Sequence, residues 1–303
     1  MMKIKTAQRF KKPRLLIIGC GDIGMRLLPL LASRYRIFAV THGNLQQAQI
    51  RAAGAVPLQA DLDQASSLYR LGGLADCVIH LAPPPGTGQL DQRTRNLLAI
   101  LPERGRLIYI STTGVYGDCV GEWVDETRPV APRSERAQRR VDAEQVLRAW
   151  AVRSHSTLGI LRVPGIYSAQ RLPLARLQKG TPALIAADDV WTNHIHADDL
   201  AHMIVQALRR TQPGRVYHTC DDTQLPMGDY FDLVADAFQL PRPPRLAREA
   251  LQREVSPLLW SFMSESRRLR NTRIKHELGV RLRYATVREC LVEIAADGNA
   301  GHP

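Results

Sequence analysis

Three glycines spaced Gly19-x-Gly21-x-x-Gly24 end an apolar run, Leu15-Leu16-Ile17-Ile18, and precede Met25–Ala32, which reads as the start of a helix. Between a strand and a helix, this spacing is the dinucleotide-binding fingerprint. Gly19 permits the tight turn. Gly21 lets the backbone approach a pyrophosphate where a Cβ would collide, and Gly24 lets the helix pack close to the strand. The first helical N–H groups, around Asp22 and Ile23, and the partial positive charge of the helix end would then face the phosphates. The competing reading is a glycine-rich turn without a ligand. A second chemical signal lies after Arg36–Val40, which continues Thr41-His42-Gly43-Asn44. An acid there would accept from both ribose hydroxyls and select NAD. None is present, which leans toward NADP, yet the strand does not end in Arg either. His42 or Arg51 would have to meet a 2′-phosphate. Asp61, followed by Leu62, could accept from an adenine amino group or cap a helix.

The elements that would position these residues alternate. Strands are expected at Leu15–Ile18, Arg36–Val40, Val56–Ala60, Cys77–Ala82, Arg106–Ile110 and Leu158–Arg162. Helices are expected at Met25–Ser33, Gln46–Ala53 (ending at Gly54) and Arg93–Leu101. Apolar strands alternating with helices predict an α/β fold with a parallel, doubly wound sheet buried on both faces. The stiff turn Pro83-Pro84-Pro85-Gly86 would pass beside a bound cofactor.

The chain has 303 residues, 45% of them hydrophobic, enough to bury a full core. No apolar run reaches the ~18 residues of a membrane span. The basic stretch 1–14 lacks the apolar segment of a secretory signal and reads as a disordered lead-in. Five scattered cysteines without a C-x-x-C pair fit free thiols in a reducing cytoplasm and argue against a disulfide framework or a metal site. The net charge of +12 is carried mostly by dispersed arginines, which suits a solvated basic surface and anionic ligands better than nucleic acid.

Further along the chain stand His80-Leu81-Ala82, Ser111-Thr112-Thr113-Gly114-Val115-Tyr116-Gly117, Arg162-Val163-Pro164-Gly165-Ile166-Tyr167, the run from Asn193 to Ala201, and Val216-Tyr217-His218. With the glycines and Asp61-Leu62, these motifs resemble the short-chain dehydrogenase/reductase superfamily. The likeness is greatest to its extended branch of nucleotide-sugar epimerases and dehydratases, and it runs from about Leu15 to about Leu291. It implies a Rossmann-type lobe over 15–167 and 192–220, and a smaller substrate-capping lobe over 168–191 and 221–303. It also implies an NAD or NADP cofactor touching Gly19, Gly21, Asp22, Ile23, Gly24, His42, Asp61, Leu62, Leu81, Ala82, Pro83, Arg140 and Pro164. A small hydroxylated or nucleotide-linked substrate and a homodimer complete the expectation.

Catalysis in that family uses Tyr and Lys spaced Y-x-x-x-K, with a Ser or Thr from the S-S-x-x-V-Y-G run. Thr112 falls in the Ser/Thr position, with a loop cap as its alternative role. Pro132 and Glu144 align with the residues flanking the Y-x-x-x-K, which sets Arg136 at the Tyr position and Arg140 at the Lys position. Arg140 keeps the cation, but Arg136 cannot lose a proton. Asp118–Ile166 contains neither Tyr nor Lys. Three readings follow: an enzyme with a substitute acid/base (Tyr116, Glu122, Asp125, His194 or His196, by residue type), a non-catalytic NAD(P)-binding sensor or regulator, and a scaffold without cofactor. The intact glycines count against the last.

Overall fold

A computed structural model describes residues 12–43 and 45–299, with the side chains of 295–299 left aside. Most of the basic lead-in lies outside the described residues; Lys12 and Pro13 lead directly into the first strand. Seven strands form one parallel sheet: β1 (Arg14–Ile18), β2 (Arg36–Thr41), β3 (Val56–Gln59), β4 (Cys77–His80), β5 (Arg106–Thr112), β6 (Thr157–Val163) and β7 (Arg215–His218). Their order is β7-β6-β5-β4-β1-β2-β3, so the chain reverses direction across the sheet between β1 and β4. Open α/β sheets bind ligands at such a switch point, beyond the carboxyl ends of the strands.

The apolar run of β1 splits by the period-2 rule. Leu15 and Ile17 join one core with Leu27, Leu28 and Leu31 of α1 (Asp22–Leu31) and with Leu200, Ile204 and Leu208 of α5 (Ala197–Arg210). Leu16 and Ile18 join the opposite core with Leu97 of α3 (Gln92–Leu98) and with Ala143, Leu147 and Trp150 of α4 (Glu135–Arg153). A short α2 (Gln47–Ala52) ends before Gly54, whose φ of +82° matches its expected C-terminal role.

Several boundaries differ from expectation, and three of them have a plain local cause. The first helix begins at Asp22 rather than Met25, because Gly21 already serves as its N-cap. The fourth strand stops at His80, since the amides of Leu81 and Ala82 both turn to the Ile18 carbonyl. The fifth strand runs on to Thr112, because Ser111 and Thr112 still pair with Arg162 and Val163 of β6.

A third core gathers Tyr167, Leu177, Leu184, Tyr230, Phe231 and Val234 with Met263 and Val287, from α6 (Met227–Ala237), α7 (Pro257–Met263) and the terminal helix that begins at Val287. The segment after 220 is not confined to this core. In α8 (Thr272–Leu278), Ile274 and Leu278 are fully buried in the first core, packed on the α5 side of the sheet. The expected division at 221 therefore does not separate the cores: the chain returns to the main sheet after contributing to the smaller body. No helix among the described residues is long and apolar enough to cross a membrane.

Candidate dinucleotide groove and adjoining pocket

Gly19 has a φ of +86°, and a Cβ there would stand 2.8 Å from the Ala82 amide nitrogen, so the turn requires glycine. The Gly19 and Cys20 amides bond the Val40 carbonyl at 3.2 and 3.0 Å, fixing the turn against β2. A Cβ on Gly24 would meet Cys20 Sγ at 3.1 Å, which keeps the helix tight on its own turn. Gly21 differs: a Cβ there would meet nothing within 4 Å. Protein packing gives no reason for glycine at 21, whereas an approaching ligand would. The leading N–H groups of α1 have no acceptor within their helix and sit beside that space.

Three cavities lie end to end over the strand termini. The first, about 390 Å³, is lined by Gly19, Val40, His42, Asp61, Leu62, Asp63, Ala82, Pro83 and Arg93. The second, about 320 Å³, is lined by Gly19, Gly21, Asp22, Ile23, Gly24, Leu81, Thr112, Arg140, Pro164 and Arg171, among others. The third, about 260 Å³, runs from Thr112 and Pro164 to Arg136, Trp191, Asn193, His194, Tyr230, Phe262 and Arg267. Gly19 borders the first and second; Thr112 and Pro164 border the second and third. Every residue expected to touch a cofactor thus lines one of the first two cavities.

Local chemistry sharpens these positions. His42 is exposed, and its Nδ1 stands 4.0 Å from the Asp61 carboxylate. Arg93 is engaged by Asp63 at 2.6 Å, which holds the Asp63 carboxyl below the usual range. Arg140 donates from Nη1 to the Ile110 carbonyl at 2.7 Å and to the Tyr109 hydroxyl at 2.9 Å, so its cation is fixed at the end of β5. Thr112 Oγ1 accepts from the Gly114 amide at 3.3 Å and caps the following turn, while also lining the seam between cavities. The loop-cap role weighed for Thr112 is thus observed. Asp22 pairs with Arg26 at 2.9 Å and with Arg171 at 3.3 Å.

The five substitute acid/base candidates separate. Tyr116 is buried away from the cavities; its hydroxyl lies 2.6 Å from His218 Nε2 and accepts from Arg162 at 2.6 Å. Burial pushes it up to about 12. Glu122 is exposed and paired with Arg128. Asp125 closes a turn by accepting from the Thr127 amide at 2.8 Å, and the Thr127 hydroxyl and amide hold it below its ordinary range. His196 caps α5 by accepting from the Asp198 amide at 3.2 Å. Only His194 reaches the third cavity, its ring 4.1 Å from that of Tyr230. Burial lowers it to about 3, so it stands neutral at physiological pH.

Arg93, Asp63, Arg171 and the wall formed by Trp191, Phe262 and Arg267 were not legible beforehand. Asp63 directly follows Asp61-Leu62, but the others come from segments remote in the chain, and no local motif marks any of them. Beneath the seam, Arg162 forms a buried bidentate pair with Glu144, and Glu144 accepts from Ser111 at 2.6 Å. The Glu expected to flank the catalytic pair is therefore a buttress for the end of β5.

A seven-stranded parallel sheet with a glycine turn at its switch point and a groove over its strand ends defines a Rossmann-type nucleotide-binding architecture. The family model described as NAD dependent epimerase/dehydratase family matches residues 15–220, and the chain belongs to that family. Among solved structures, a functionally unknown conserved protein from Silicibacter pomeroyi is 33% identical over 95% of this chain and 99% of its own, with a TM-score of 0.76. A putative NAD-dependent epimerase/dehydratase from Methylobacillus flagellatus is 26% identical over 95% of this chain and 99% of its own, at a TM-score of 0.70. The UDP-glucose 4-epimerase of Thermotoga maritima, solved with UDP-glucose, is 16% identical over 95% of this chain and 99% of its own, at a TM-score of 0.75, and shows likeness of fold alone. No curated protein matched by sequence.

Proposed function

We propose that this protein binds NAD along the groove and acts as an oxidoreductase or epimerase on a small hydroxylated substrate held in the third cavity, without the Tyr–Lys pair of its family. The supporting observation is the seam: Thr112 and Pro164 line both the second cavity and the third, so two ligands would meet there. In this reading Gly19, Gly21, Asp22, Ile23 and Gly24 receive the pyrophosphate, with Arg171 beside them. Asp61, Leu62, Ala82 and Pro83 flank the adenosine, Arg140 holds the nicotinamide ribose, and Thr112 donates to the reacting oxygen. NAD would supply the hydride acceptor. The space at Gly21, which a side chain would fill, suits such a group.

NAD is favoured over NADP by the charges around His42. Asp61 lies beside it, and Arg93 is already neutralised by Asp63, so a 2′-phosphate would face carboxylates without an unpaired arginine among the lining residues. Two observations favour the alternative of binding without turnover: His194 is held neutral by burial, and among the described residues the Thr112 hydroxyl has only the Gly114 amide as a hydrogen-bond partner.

Calorimetric titration with NADH and NADPH tests the proposal. NADH is expected to bind in the micromolar range and NADPH about ten-fold more weakly, a difference of about 1.4 kcal/mol. If neither binds to protein that melts cooperatively, the proposal fails. Binding without nicotinamide oxidation by any of a panel of small ketones and aldehydes would select the regulator.

A further inference from the structure

Arg136 occupies the place where the family carries its proton-transferring Tyr, in the first turn of α4 and on the wall of the third cavity. The other arginines near it are engaged. Arg139 donates to the Gly88 carbonyl, Arg140 to the Ile110 carbonyl, and Arg267 to the Gly117 carbonyl and to Glu265 at 2.8 Å. Arg136 has no hydrogen bond or ion pair among the described residues. Its guanidinium carbon lies 3.9 Å from the Phe262 ring centroid. A guanidinium stacked on a ring keeps its N–H donors free around its edge, the arrangement that receives a carboxylate bidentately.

The charge balance has a definite sign. Two arginines, Arg136 and Arg267, share one carboxylate, Glu265, which pairs directly with Arg267 and acts on Arg136 through space, so the cavity carries one surplus positive charge. The N-terminus of α4 adds to it, since a helix start favours anions. Trp191, Met227, Tyr230, Phe231 and Phe262 give part of the wall an apolar, aromatic character, while Thr112, Thr113, Ser134, Thr192, Asn193, His194 and Ser261 supply uncharged polar groups elsewhere around it. We infer that Arg136 is a specificity-determining residue that recognises a carboxylate on the substrate, and that the substrate is a hydroxy- or oxo-acid with an apolar or aromatic body rather than a neutral sugar. This rests on the proposed function, in which the reacting oxygen lies at Thr112. It also gives Arg136 a role that suits a group unable to shed its proton.

The test is calorimetry on the full chain, with and without saturating NADH. The probes are mandelate, 3-phenyllactate, 2-hydroxy-4-methylpentanoate, the neutral isostere mandelamide, and UDP-glucose. At least one acid is expected to bind, with mandelamide about 10- to 100-fold weaker than mandelate if mandelate is that acid, as for loss of charged hydrogen bonds. Arg136→Gln should reduce acid binding to the level of the amide, Arg136→Lys should recover part of it, and NADH affinity should stay unchanged. Arg136 is half-buried and holds no hydrogen bond, so both variants should melt near the wild type. The inference is overturned if no acid binds below about 10 mM, if acid and amide bind alike, if Arg136→Gln binds the acid as wild type does, or if UDP-glucose binds in preference. Loss of NADH binding with acid binding intact would instead overturn the dinucleotide proposal and leave this one standing.

Discussion

Replacing Gly21 by Val separates a ligand cradle from a mere turn. The backbone at Gly21 has φ −83°, open to any residue, and the space a Cβ would enter holds no protein atom within 4 Å. The folded state therefore loses little beyond a good N-cap, about 1 kcal/mol, or about 2 °C in a chain of this length. The bound state loses far more. The Val side chain would stand where a pyrophosphate must reach the first N–H groups of α1, removing two or three charge-assisted hydrogen bonds of about 1.5 kcal/mol or more each. That is at least a ~100-fold loss of NADH affinity. Gly19→Ala is the contrasting variant. Its positive φ costs about 1–2 kcal/mol, and its Cβ at 2.8 Å from the Ala82 amide must push aside the segment that follows β4, so it should melt well below wild type. Titration calorimetry and thermal melts of both variants provide the assay. If Gly21→Val binds NADH as the wild type does, the open space has no ligand. If it melts as low as Gly19→Ala, the space is not open.

Two further predictions concern stability. Glu144→Ala strands Arg162, whose side chain is 5% exposed and pairs with Glu144 at 2.7 Å; the expected loss is about 3–5 kcal/mol in urea unfolding, and a loss under about 1 kcal/mol would contradict the buried pairing. Asp221 is buried, and burial raises its carboxyl to about 7. The folded chain then keeps a proton that the unfolded chain sheds above about pH 4, so this group's contribution to stability falls as pH rises from about 4 to about 7 and is level beyond. Asp221→Asn should be close to wild type near pH 4 and more stable by up to about 4 kcal/mol above pH 7. Parallel pH profiles of urea unfolding give the difference, and a gap that does not widen across this window would refute the assignment.

The sheet and the glycine turn could be read in advance because both are local: a short apolar run, a spacing, a helix start. The positions that line the groove followed, since all of those expected except Arg140, which α4 carries, lie within a few residues of a strand end. The third cavity could not be read that way. Its walls are assembled from six separated segments, and Trp191, Phe262 and Arg267 carry no pattern that announces a neighbour across the chain. The same limit explains the acid/base candidates. Residue type alone could not tell Tyr116, locked between His218 and Arg162, from His194, which the short strand before α5 delivers to the cavity.

The return of α8 to the main sheet has a practical consequence. Ile274 and Leu278 fill the core that also holds Leu15 and Ile17, while Arg267 and Phe262, a few residues earlier, line the third cavity. The cavity wall and the central sheet are thus fastened to one another by a short stretch of chain, and should unfold in one event. A compound occupying the cavity would then raise the melting temperature of the entire molecule. A dye-based melting screen can accordingly search for the substrate without knowledge of the reaction, and without waiting for turnover.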